Sequence, residues 1–222
     1  MDYAALFLAV IVGYAIAFFF RKKDFKQMSI ILAFSGAFLL SVTLFELLPK
    51  VFEHPSKEIG VYIMSGILLQ IMLDFFSKGA EHGHVHVHSK NKAFPWLLFI
   101  SLSIHALLEG FPVTDNHNML VGVIVHKIPI AIVLALVFNR AEYPKLISFV
   151  FLILFALMTP IGNVLAAEVA VLKNYETEIN AVAIGVFLHV STTILFESNK
   201  DHKFNLAKLV TIVLGVILAY LM

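Results

Sequence analysis

Three residues in two apolar stretches carry the strongest chemical signal in this chain. His105 and Glu109 stand four apart in SIHALLEGFP, and His126 stands in VIVHKIPIA. On a helix, residues at i and i+4 share a face, so His105 and Glu109 stack one above the other. Two neutral imidazoles and a carboxylate suit a divalent transition-metal ion, namely Zn²⁺, Fe²⁺ or Mn²⁺. The sequence has no cysteine, which excludes disulfides and leaves only nitrogen and oxygen ligands for any metal. An ionisable side chain at the centre of a membrane helix costs about 2.5–3.5 kcal/mol on insertion scales, so such residues usually serve a function.

The elements that must position them are read from composition. Of 222 residues, 60% are hydrophobic and 14% charged, against about 45–50% and about 25% in a soluble domain. The excess lies in long blocks. A crossing helix needs about 20 apolar residues, and eight candidate spans follow, at about 3–20, 28–53, 59–77, 94–113, 118–138, 146–170, 179–197 and 205–222. The short connectors leave no room for a second domain. The fold class expected is therefore all-α, a polytopic membrane protein, with residues 1–222 forming one bundle of eight transmembrane helices. A net charge of +1 with no dense basic stripe argues against a nucleic-acid partner.

Orientation follows from lysine and arginine. The first apolar run is preceded by Met1-Asp2-Tyr3 and followed by Arg21-Lys22-Lys23, the reverse of a signal peptide. It is expected to be a retained helix with its N-terminus outside. On that assignment the inner loops and adjoining helix ends hold Arg21, Lys22, Lys23, Lys26, Lys78, Lys90, Lys92, Arg140, Lys145, Lys200, Lys203 and Lys208, against Lys50, Lys57 and Lys173 outside. Both termini are expected outside a cell membrane (the bacterial inner membrane or its equivalent).

Depth tests the grouping. His105 lies eight residues before Val113, and His126 eight after Asn118, so both sit about 12 Å below the outer boundary. Glu46, Asn163 and His189 are expected at similar depth on spans two, six and seven, as further candidates for the wall of one buried site. Asp74 and Glu197 lie near inner ends, as an exit vestibule or as solvated helix ends. Pro129 and Pro160 should release the carbonyls of Val125 and Ala156 from the helical ladder. Lys127 can neutralise Glu109. Between spans three and four, a loop at about 78–92 carries His82, His84, His86 and His88, a weak zinc or nickel chelator or a merely solvated segment.

These motifs resemble those of the ZIP (Zrt/Irt-like) divalent metal transporters. The resemblance rests on HALLEG followed by HKIP on the next span, supported by ELLP, TPIG, FLHVSTT and the His-containing loop. It implies import of zinc, or of iron or manganese, into the cytoplasm by an elevator-like or rocking movement, often in a homodimer. By motif position His105, Glu109 and His126 match metal ligands, and Glu46 looks like a ligand or a residue at the mouth of the path. Two positions depart from the pattern. Lys127 stands where relatives often carry an acidic residue for a second metal, and Ile130 replaces a further ligand. The resident ammonium is expected to substitute for the second cation, giving one ion per site. Metal is expected to enter past Asp115 and His117. The rival readings are an intramembrane metalloenzyme, for which no H-E-x-x-H occurs, and a metal efflux carrier.

Overall fold

The computed structural model describes residues 2–19, 25–53, 56–77, 93–114, 116–197 and 206–222, among which there are helices and turns and no strand. The principal helices are α1 (Asp2–Ala17), α2 (Phe25–Val42), α3 (Lys57–Ser77), α4 (Trp96–Gly110), α5 (His117–Arg140), α6 (Lys145–Glu168), α7 (Glu176–Glu197) and α8 (Leu206–Leu221). Each of the eight expected spans falls on one of them. Six stretches are long and apolar enough to cross a membrane: Met28–Val51, Lys57–Ser77, Trp96–Val113, His117–Arg140, Lys145–Glu168 and Glu176–Phe196. Helices α1 and α8 are apolar but shorter, at 16 residues each.

Local chemistry sets several boundaries. The side chain of Asn116 accepts a hydrogen bond from the Met119 N–H at 3.0 Å and so starts α5. Pro95 and Pro144 immediately precede α4 and α6, where a missing N–H does no harm. Pro129 and Pro160 sit inside α5 and α6, which continue through them. The departure from regularity is at the end of α2. There a π-helical segment, Thr43–Leu47, leads into a last turn at Leu48–Val51, and the Leu48 N–H bonds back to the Thr43 carbonyl. Pro49 follows at once. A proline ring collides with the carbonyl four residues earlier in a regular helix, and the widened turn makes room for it.

Packing divides the bundle into two sets. Helix α1 lies along α5 and α6, and α4 along α6; α3 lies along α7, and α2 along α7 and α8. The sets meet where α2 packs on α5 and α3 on α4. Apolar on every side, α5 has 72% of its spanning window buried, whereas α3 has 22%. Val61, Met64, Leu68, Met72 and Phe75 of α3 face outward, a surface that hydrocarbon solvates and water does not.

Paired glycines mark two crossings at which backbones come into contact. A Cβ on Gly162 of α6 would run into the Leu107 carbonyl of α4, and one on Gly110 of α4 into the Thr159 carbonyl of α6. Gly66 of α3 and Gly185 of α7 meet in the same way. Close approach of this kind needs small residues because the cohesion between helices in lipid comes from packing and hydrogen bonds. At the first crossing, Thr159 Oγ1 donates to the Ala106 carbonyl at 2.8 Å.

Candidate metal centre

Between α4 and α5 the backbones approach chiefly at the short 3-10 turn Phe111–Val113 that extends α4. Deeper in the bundle the two helices pack mainly against other partners, and long polar side chains reach across the space between them. His105 and Glu109 project from α4, His126 and Lys127 from α5. All four are sequestered, with exposures of 2%, 1%, 1% and 2%. His105 Nε2 lies 3.1 Å from Glu109 Oε1, and His126 Nε2 lies 3.6 Å from the same oxygen. One donor atom from each of the three residues falls within 4.8 Å of the others, a spacing that could hold a metal ion. Matched depth on antiparallel helices does bring the two imidazoles together, their centroids 6.5 Å apart.

Glu109 uses its two oxygens differently. Oε1 faces the imidazoles, while Oε2 takes the Lys127 ammonium at 2.6 Å. The ammonium also lies 4.8 Å from the centre of the Phe155 ring, whose face attracts a cation. A charge buried this deeply needs a partner, and here each of the two supplies the other's.

A second polar string leaves the cluster from the far side of His105. His105 Nδ1 lies 3.0 Å from Gln70 Oε1 on α3; Gln70 Nε2 donates to Asp74 Oδ1 at 3.0 Å; His189 Nε2 of α7 lies 2.9 Å from Asp74 Oδ2. The string therefore joins the α4-containing set of helices to the α3–α7 set. Gln70, fully buried, was not anticipated. Its signal was an amide in an otherwise apolar span, four residues before Asp74 and so on the same face.

Glu46 and His189 are not among the three residues whose donor atoms converge. His189 faces Asp74, with side-chain exposures of 20% and 16%. Asn163 is a tie between helices, its Nδ2 donating to the Gly110 carbonyl at 3.3 Å and to Thr114 Oγ1 at 3.0 Å. Glu46, half-buried, belongs to the π-helical segment. Of the expected outer path, His117 is exposed at the start of α5, and Asp115 lies outside the described residues. His82, His84, His86 and His88 lie outside them too, as does the side chain of Glu197.

Comparison with known proteins bears on the α4–α8 region. A family model described as ZIP zinc transporter matches residues 77–222. The zinc transporter ZIP1 of Takifugu rubripes is 30% identical over 123 residues, covering 49% of this chain and 40% of that protein. ZIP1 of Danio rerio is 30% identical over 88 residues, or 37% and 29%. Protein zntD of Dictyostelium discoideum is 28% identical over 150 residues, or 58% and 22%. The chain thus spans less than half the length of each of these curated relatives.

Proposed function

The chain belongs to the ZIP zinc transporter family, and from that premise we propose that it carries zinc across a membrane into the cytoplasm through a site made by His105, Glu109 and His126. The family is one of transporters rather than enzymes. The observation that carries the site assignment is the convergence of three buried donors, one carboxylate oxygen and two imidazole nitrogens, within 4.8 Å of one another. Two nitrogens and an oxygen suit zinc, and water or another side chain completes its shell. The names of the matched relatives, zinc transporters from two fishes, favour zinc among the divalent ions.

On this reading residues 1–222 form a single eight-crossing transporter domain with both ends outside. Support comes from the eight apolar helices and from the twelve inner against three outer lysines and arginines. Hydrated zinc exchanges water for His105, Glu109 and His126. Lys127 keeps Glu109 Oε2 occupied, so one ion binds at a time. The set α1, α4, α5 and α6 then shifts against α2, α3, α7 and α8, carrying the ion inward. Arriving metal meets the loop histidines His82, His84, His86 and His88.

Liposomes loaded with a zinc-sensitive dye test the proposal. Wild-type protein should pass zinc, and His105→Ala and His126→Ala should each abolish most of the flux. Uptake unchanged by both substitutions would sink the site assignment. Flux only outward in oriented vesicles would replace import with efflux.

A further inference from the structure

We propose that Gln70 is a positioning residue that holds His105 in the tautomer able to receive the metal; the inference rests on His105, Glu109 and His126 being the metal site. An imidazole binds a metal only through a nitrogen that bears a lone pair, and the partner of its other nitrogen decides which one that is. Three distances fix the pattern here. An amide nitrogen only donates and a carboxylate oxygen only accepts, so Gln70 Nε2, 3.0 Å from Asp74 Oδ1, turns Gln70 Oε1 towards His105. That oxygen lies 3.0 Å from His105 Nδ1. It can only accept, so Nδ1 carries the hydrogen. The neutral ring that takes a metal has one N–H, so with Nδ1 donating to Gln70 its lone pair is on Nε2, the nitrogen that lies 3.1 Å from Glu109 Oε1.

The amide is itself held from two helices. Asp74, one turn along α3, takes His189 Nε2 on its second oxygen at 2.9 Å. The crossing of Gly66 with Gly185 sets this geometry, since Gln70 stands four residues after Gly66 and His189 four after Gly185. No water competes for Gln70, whose exposure is 0%. A neutral acceptor at this place also adds no charge between Glu109 and Asp74. Gln70 and Asp74 both precede the stretch that the family model matches.

The test uses full-length protein in detergent or nanodiscs, with ¹⁵N-labelled histidine and zinc as the metal. Nitrogen shifts report the tautomer of His105, assigned by the signal lost in His105→Asn. Zinc affinity is read by competition with a chelating dye. Wild type should show His105 protonated on Nδ1. Gln70→Met, close in shape and without an acceptor, should lose that preference and bind zinc about 10–100-fold more weakly. The double variant Q70E/D74N returns an acceptor to Nδ1 and an amide between it and His189, and should recover most of the affinity. His105 protonated on Nε2 in the wild type overturns the inference, as does Gln70→Met binding within about twofold of wild type. Failure of Q70E/D74N to rescue would assign Gln70 to packing alone and overturn it too. Should wild type bind no zinc, the proposed function falls, and the nitrogen spectrum still decides the tautomer by itself.

Discussion

Glu109 and Asp74 are both carboxylates set among histidines, yet their surroundings differ in where the hydrogens lie. Each oxygen of Asp74 meets a donor, the Gln70 amide on one side and the His189 ring on the other. Its side chain keeps 16% of its surface exposed. Around Glu109, Oε2 takes the Lys127 ammonium. Oε1 instead faces two ring nitrogens, His105 Nε2 at 3.1 Å and His126 Nε2 at 3.6 Å. Two ring nitrogens and a carboxylate oxygen turned towards one point in a dry setting are the ligand atoms a zinc ion takes. The same residue types therefore build a hydrogen-bonded pair in one place and a candidate metal site in the other.

The sharpest way to break this contrast is to neutralise each acid in turn. Glu109→Gln should lower zinc uptake by at least about 100-fold, since it removes a ligand rather than the partner of one. It should also destabilise the protein by about 3–5 kcal/mol by leaving Lys127 buried without its counter-charge. Asp74→Asn, in a wetter and hydrogen-bonded place, should cost uptake less than about tenfold. Flux assays and thermal unfolding rank the two, and the reverse order would end the distinction drawn between them.

Lys127→Met probes the other half of Glu109. Without metal the variant should lose about 3–5 kcal/mol of stability. Bound zinc would then neutralise the stranded carboxylate, so the melting temperature should rise more on adding zinc than it does in wild type. An equal rise in both would show that the ammonium does not balance Glu109.

Acidification sharpens the comparison with a smaller effect. Binding needs imidazole lone pairs, and protons compete for them. Zinc affinity should therefore fall between pH 7.5 and 5.5, as measured by dye competition. Affinity that rose on acidification would contradict the ligand set.

Depth was legible in the sequence, and azimuth was not. A helix rises by a fixed amount per residue, so counting from the turn at Thr114–Asn118 was enough to level His105 with His126, and i, i+4 spacing put Glu109 beside them. Which way a side chain faces depends on how each helix is rotated against its neighbours, and no one-dimensional pattern records that. His189 and Asn163 are turned towards Asp74 and towards the end of α4. Glu46 rides on a π turn that rotates everything after it, an irregularity hidden behind an ordinary proline. Gln70 escaped notice because a neutral amide offers neither a charge nor a ligand to search for.

At Gly110 and Gly162 two helices touch main chain to main chain, with Thr159 and Asn163 bonded alongside. Helix α6 contributes no atom to the three-residue cluster, but its backbone lies against the helix that bears His105 and Glu109 and is bonded to it by Thr159 and Asn163. On the transport reading proposed above, α6 is the handle by which the helix bearing those two residues would be drawn. A residue with no side chain, one helix away from the proposed site, would then govern whether that pull is transmitted.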